Sequence, residues 1–506
     1  VKARITLDSA FDLGEIDPRI SGSFVEHLGR CVYGGIFEPG HPDADEHGFR
    51  RDVLELVREL AVPIVRYPGG NFVSNYLWED GIGRRADRPR RLDPAWHSIE
   101  TNAFGLGEFM TWCDLVGTAP MLAVNLGTRG VREACDLLEY ANFPGGTRWS
   151  DLRRAHGASD PFDVRVWCLG NELDGPWQIG HKTAAEYGRL ASETARAMRR
   201  IDPGLELVAC GSSHAAMPTY PEWEATVLDH CYDEVDYLSL HTYAHPDPDD
   251  VPTFLGFALE MDAFIDAVVA TCDFVRTKKR SKKVMRLSFD EWNVWYLARA
   301  TERPPWWQEA PALFEDAYDI ADAVVVGSLL NSLVRHADRV KIACVAQLVN
   351  VIAPIHTRNG GGAWREATFF PLRDVARYAR GRSLATRVDV PTYPSARHDA
   401  VPFLDCSASL DDADGALVIF AANRSLTEPV ELALDLRGVG TCTLIEHSTL
   451  ADGGPYVHGA AINTEDVPDR VLPRSVPIDP GRDGELTVTL PALSWNVLRL
   501  VRADAR

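Results

Sequence analysis

The fold class predicted by the sequence is α/β: a (β/α)8 TIM barrel followed by a C-terminal antiparallel β-sandwich, jelly-roll-like in its strand pattern. Three observations carry this. Eight short apolar, β-rich runs recur with room for a helix between neighbours, at 22–26, 63–66, 121–125, 164–169, 206–210, 235–241, 284–290 and 341–347, the signature of βα units around a parallel sheet. The intervening stretches carry helical spacing and helix-start signals. Past about residue 376 that spacing stops, and strand-like runs separated by Gly, Pro and Asp take over.

Eight parallel strands with helices between them close naturally into a barrel. Among the connecting helices, the clearest start is Thr183…Glu186, where hydroxyl and carboxylate satisfy amides left free at the helix N-terminus. Tyr187, Leu190, Ala191, Ala195, Met198 and Ile201 follow at three- and four-residue spacing, and Pro203-Gly204 ends the helix. Residues 51–60 and 317–334 also read as amphipathic helices. The later runs 416–423, 430–436, 441–447 and 485–501 read as sandwich strands. Residues 2–8 alternate as a strand does but precede the first barrel strand, and a closed barrel offers them no edge. The expected division is therefore 17–376 for the barrel, and 1–16 plus 377–506 for the sandwich. Long loops at 78–101 and 297–315 follow barrel strands two and seven, which puts them at the active-site face.

Composition narrows the partners. Hydrophobic residues make up 45% and charged residues 25% of the 506, as in an ordinary globular protein. With 52 basic against 73 acidic side chains the net charge is −21, which argues against nucleic acid. The Arg84–Arg91 and Lys278–Arg280 stretches are short enough to be solvated loops or helix ends. No run reaches the ~18 apolar residues of a membrane span, so no membrane partner is expected. The N-terminus has no apolar signal segment. The ten cysteines are scattered without CxxC or zinc spacing. Together these predict a cytoplasmic protein.

In such a barrel the chemistry sits at the C-terminal ends of the strands. Those ends carry Glu26-His27, Arg66 through Asn71, Asn125, Gly170-Asn171-Glu172, His241 and Tyr243, Asp290 through Asn293, and Gln347. So many polar and aromatic groups predict a pocket for a hydroxylated ligand. Glu172 and Glu291 end strands four and seven, across the mouth from each other. Glycoside hydrolysis needs such a pair, one protonated to assist the leaving oxygen and one ionised to attack the anomeric carbon. His241 and His245 could suggest a metal, but two histidines on an extended segment need not converge, so none is expected and His241 reads as a hydrogen-bonding residue. Asp290 reads as structural. Trp306-Trp307 suits either a sugar-stacking rim or an oligomer contact.

Longer strings extend the pattern: GSFVEHLGR at 22–30 with VYGGI at 32–36, RYPGGN at 66–71, GNELDGPWQ at 170–178 and DEWN at 290–293. In these the chain resembles the clan A glycosidases, and within them the α-L-arabinofuranosidases of glycoside hydrolase family 51, over its whole length. The resemblance implies a retaining enzyme releasing terminal α-L-arabinofuranosyl groups from arabinose-containing oligosaccharides, with no cofactor. It implies Glu172 as acid/base and Glu291 as nucleophile, and Asn171 on the sugar 2-hydroxyl. Glu26 and Asn71 would bind other hydroxyls, Tyr243 the nucleophile, and Gln347 would close the pocket floor. Arg66 would keep Glu291 ionised, and Trp96 and Trp295 would form apolar walls. It also implies a homo-oligomer, a hexamer in related enzymes. The alternatives are another clan A specificity, such as β-xylosidase or endo-β-1,4-glucanase, and a sugar-binding protein without catalysis. The paired carboxylates weigh against the last, and the long loops favour a pocket over an open groove.

Overall fold

The computed structural model describes residues 1–297, 304–478 and 486–503. Eight strands close into a parallel barrel: Gly22–Phe24, Ile64–Tyr67, Ala119–Ala123, Val166–Leu169, Glu206–Ala209, Tyr237–Ala244, Arg286–Val294 and Val340–Ala346. They fall where the apolar runs predict them. Strands six and seven run three or four residues beyond the predicted ends, so His241, Tyr243 and Glu291 lie within strands. The pairing register of strand seven with strand eight shifts between Phe289 and Trp292. Such a bulge re-aims side chains, and here consecutive Asp290 and Glu291 both reach Arg66, which strict alternation would forbid.

The helix Ala184–Ile201 starts as its sequence predicts: Thr183 N–H donates to Glu186 Oε2 at 2.9 Å and Glu186 N–H to Thr183 Oγ1 at 3.4 Å. The helix expected at 317–334 runs Ile320–Arg335 and differs in kind. Every residue from Ile320 to Val334 is buried, so it is not amphipathic. A helix covered on all sides has no polar face to show, and this one lies between the barrel and a β-sheet.

That sheet has seven strands: Asp12–Glu15, Arg382–Leu384, Leu404–Asp411, Ala416–Asn423, Ser494–Arg502, Cys442–Leu450 and Arg474–Ser475. Along Ala416–Asn423 alternate residues serve different cores. Leu417, Ile419 and Ala421 join Ile5, Leu432 and Leu490 of a facing four-stranded sheet, while Val418, Phe420 and Ala422 join the barrel core. The facing sheet is Arg387–Asp389, Lys2–Asp8, Val430–Gly438 and Leu486–Leu490. Lys2–Asp8 pairs parallel with Val430–Gly438, an exception in an otherwise antiparallel sandwich. The single strand expected at 485–501 is two, split at Pro491 and shared between the sheets; Glu485 lies outside the described residues.

Over the barrel mouth the loop at 78–101 carries a hairpin, Arg91–Asp93 with Ser98–Glu100. It is tied to the loop after strand seven, where Trp307 N–H donates to the His97 carbonyl at 2.7 Å and Ile99 N–H to that of Gln308 at 2.9 Å. Residues 298–303 of that second loop lie outside the described residues.

Candidate active site

A cavity of about 760 Å³ opens at the C-terminal ends of the strands, lined by Glu26, Asn71, Trp96, Glu172, Tyr243, Glu291, Trp295 and Gln347 among others. Glu172 follows strand four in a sharp turn where Gly170 (φ +93°) and Glu172 itself (φ +42°) are left-handed. Its Oε1 lies 2.9 Å from His241 Nδ1, and its Oε2 accepts from Trp177 Nε1 at 2.7 Å. Across the mouth, Glu291 Oε1 accepts from the Tyr243 hydroxyl at 2.6 Å and Oε2 from Arg66 Nη1 at 3.0 Å. One oxygen of each carboxyl and a ring nitrogen of His241 all lie within 4.8 Å of one another.

The remaining predicted residues surround this pair, and the second buried residue of the turn, Asn171, accepts from Arg66 Nη2 at 2.7 Å. Glu26 Oε1 accepts from Phe72 N–H and Trp96 Nε1, and its Oε2 from Gln347 Nε2. Trp295 packs edge-on against Tyr243 and Phe314, and Trp96 against Phe314. The glycine pair before Asn71 is required by space: a Cβ on Gly69 would stand 2.6 Å from Glu26 Cγ, and one on Gly70 3.2 Å from Glu291 Oε2. Asn125 turns instead to its own loop, bonding Thr128 and the Tyr76 carbonyl. His245 turns to the Trp295 carbonyl at 3.0 Å rather than joining His241.

Comparison with known proteins decides the family. The family described as α-L-arabinofuranosidase C-terminal domain matches residues 290–494, and α-L-arabinofuranosidase 1 domain matches 56–266. A Streptomyces lividans protein named intracellular exo-α-(1→5)-L-arabinofuranosidase is 57% identical, over 98% of this chain and 75% of its own. One of the same name from Acetivibrio thermocellus is 52% identical over 99% of both. The chain belongs to the α-L-arabinofuranosidases of glycoside hydrolase family 51. The solved family 51 structure from Bifidobacterium longum is 45% identical, covers 98% of this chain and 99% of that one, and superposes with a TM-score of 0.93. A bifunctional glucanase-xylanase, at 12% identity and a TM-score of 0.57, shares the fold alone. The chain is thus a glycosidase acting on arabinofuranosides, and the glucanase and xylosidase alternatives are not favoured.

The electrostatics of this family 51 site separate its carboxyls. Burial, then the charge of Glu291, raises the Glu172 carboxyl above its usual range, against the pull of His241 and Trp177. Burial and Glu291 likewise push Glu26 up to about 8. Burial would also raise Asp290, but Arg66 and His241 more than offset it and hold that carboxyl low. His241 faces Glu172, Asp290 at 3.3 Å and Glu291 at 3.7 Å. Burial disfavours its charge, yet these carboxylates outweigh burial and push it up to about 10. The spacing of Glu172, His241 and Glu291 would suit a cation, but an imidazolium has no lone pair to offer one.

Two further residues shape the site in ways the sequence does not foretell. Trp177 lies within GNELDGPWQ, but nothing in that string tells that its indole N–H meets Glu172. Asp290, read as structural, carries charge that holds both Arg66 and His241 in place.

Proposed function

We propose that the enzyme releases terminal non-reducing α-L-arabinofuranosyl residues by double displacement, with Glu172 as acid/base and Glu291 as nucleophile. The observation that carries this is the approach of the two carboxyls to within 4.8 Å. Retaining glycosidases hold theirs about 5–5.5 Å apart, whereas inverting ones leave ~6.5–9.5 Å for a water. Glu172, kept protonated by burial, gives its proton to the departing glycosidic oxygen as Glu291 attacks the anomeric carbon and that bond breaks. Arg66 and Tyr243 stabilise the attacking carboxylate. Glu172, now ionised, then takes a proton from the water that releases arabinose from Glu291. Asn171, Glu26, Asn71 and Gln347 hold the sugar hydroxyls, and Trp96 and Trp295 wall the ring.

Relatives named for exo-α-(1→5) activity at 52–57% identity support α-(1→5)-linked arabino-oligosaccharides as substrates, and their description as intracellular supports a cytoplasmic site of action. Exposed Trp306 and Trp307 support a homo-oligomer, hexameric by resemblance, which light scattering would test. Azide tests the roles. With dinitrophenyl α-L-arabinofuranoside, Glu172→Ala should form the glycosyl-enzyme readily and stall; azide should restore turnover and give the α-azide, after two inversions. Azide product from Glu291→Ala should be the β-azide. The opposite pattern would exchange the two roles.

A further inference from the structure

The cavity is larger than a single pentofuranose requires, since volumes of ~300–1,000 Å³ hold ligands of several rings. Besides Glu172 its lining takes in Trp177 and His214, and a wall supplied from outside the barrel. That wall is the hairpin Thr392–Tyr393 with Val401–Pro402, which reaches back over the segment after strand six. The Tyr393 hydroxyl donates to the Pro252 carbonyl at 3.1 Å, and Ala396 N–H to Thr253 Oγ1 at 2.9 Å. Arg397 Nη1 donates to both oxygens of Glu260 at 2.8 and 2.9 Å. Gly256 lets the hairpin approach, because a Cβ there would stand 3.2 Å from Val401. Ala396, Arg397 and Glu260 all line the cavity.

We propose that this hairpin closes the far end of the aglycone side of the cleft, and that Arg397, held by Glu260, is a specificity-determining contact for neutral sugar units beyond the scissile bond. The inference rests on the catalytic reading above. Three features of the cleft fix the chemistry of the ligand. Next to Glu172, the Trp177 indole is 46% exposed and backed by the near-parallel ring of His214, an arrangement that presents an aromatic face for a sugar ring to stack on. Phe254 and Phe257 add an apolar lining. At the end, Glu260 occupies one terminal nitrogen of a guanidinium that has five N–H donors in all, leaving donors for hydroxyls. Glu260 also neutralises the charge that would otherwise favour an acidic aglycone.

The test compares two substrates in the full enzyme: an α-(1→5)-linked arabinotriose, which extends into the cleft, and nitrophenyl α-L-arabinofuranoside, which does not reach the hairpin. In Arg397→Ala the ratio of kcat/KM on triose to that on the aryl glycoside should fall about tenfold. Ala396→Trp, a bulky change at an exposed tip, should lower the same ratio by blocking the cleft end and does not depend on the ion pair. A ratio within about twofold of wild type in both variants would overturn the proposal. Wild type without activity on the aryl arabinofuranoside would instead overturn the catalytic reading, so the two failures are separable.

Discussion

Two buried clusters of charge in this molecule use the same residue types to opposite ends. Between barrel and sandwich, Asp405 accepts from Arg335 at 3.0 Å and Asn331 at 2.8 Å, with Arg424 3.4 Å away. Arg335 also binds Asp262 at 2.8 Å. Burial would raise the Asp405 carboxyl, but the two guanidiniums hold it low. At the barrel mouth Arg66 and His241 face three carboxyls, Asp290, Glu291 and Glu172, and Glu26 feels the charge of Glu291 without a cation of its own among these, so cations are too few for the carboxyls gathered there. Asp290 is held low while Glu172 and Glu26 are raised. A cluster with enough cations ties barrel and sandwich together; one short of cations leaves some of its carboxyls raised while another is held low, the separation on which the proposed double displacement rests. That shortfall is what glycosidase chemistry requires.

The comparison breaks most visibly under substitution. Glu291→Ala should lower kcat on every arabinofuranoside by on the order of 10⁴-fold or more, because no covalent intermediate can form, with the melting temperature little changed. Appreciable turnover of the dinitrophenyl substrate without azide would contradict the division of labour. Asp405→Ala should do the reverse. It leaves buried Arg424 without its carboxylate and Arg335 with Asp262 alone, a loss of about 3–5 kcal/mol of stability, readable by denaturant titration. Its kcat, measured where it stays folded, should match wild type.

A third carboxyl sharpens the comparison from another side. Glu366 accepts from Tyr318 N–H and Trp364 Nε1, both at 2.9 Å, and burial pushes it up to about 8. The folded protein then holds a proton that the unfolded chain releases above about 4.5. Between those values the folded state binds more protons, so stability falls as pH rises, with a slope of up to ~1.4 kcal/mol per pH unit from this group. Glu366→Gln should flatten that part of the stability–pH curve. An unchanged slope would mean that Glu366 is ionised in the folded state.

The barrel was legible because eight apolar runs alternate with helical spacing, and the candidate site because strand ends in such a barrel carry its chemistry. What escaped has physical causes. Leu404–Asp411 gives no strand signal because both its faces are buried: Cys406 and Ala408 enter the sandwich core while Asp405 and Ser407 bond Asn331 beneath the helix Ile320–Arg335. The same burial removes the polar face from that helix. Apolar run length alone misses the break at Pro491 within 485–501, where the chain changes sheets. Arg397 lies more than a hundred residues from Glu260 in the chain, and only the fold brings the two to one cleft.

The smallest effect concerns the hydrogen bond that no spacing could foretell, from Trp177 Nε1 to Glu172 Oε2. It favours the ionised carboxyl and so opposes the burial that raises it. Trp177→Phe keeps an aromatic face and removes the donor, which disfavours ionisation and raises the Glu172 carboxyl further. The protonated form, needed to assist the leaving oxygen, then persists to higher pH. The alkaline limb of kcat/KM should therefore move to higher pH, while kcat at the optimum on nitrophenyl arabinofuranoside changes by less than ~10-fold. The acid limb should stay in place, because the indole bond is made to Glu172 and the contacts of Glu291 with Tyr243 and Arg66 are untouched. Movement of the acid limb alone would mean that the indole bond does not tune the acid. Movement of both limbs together would point to a general rearrangement of the mouth.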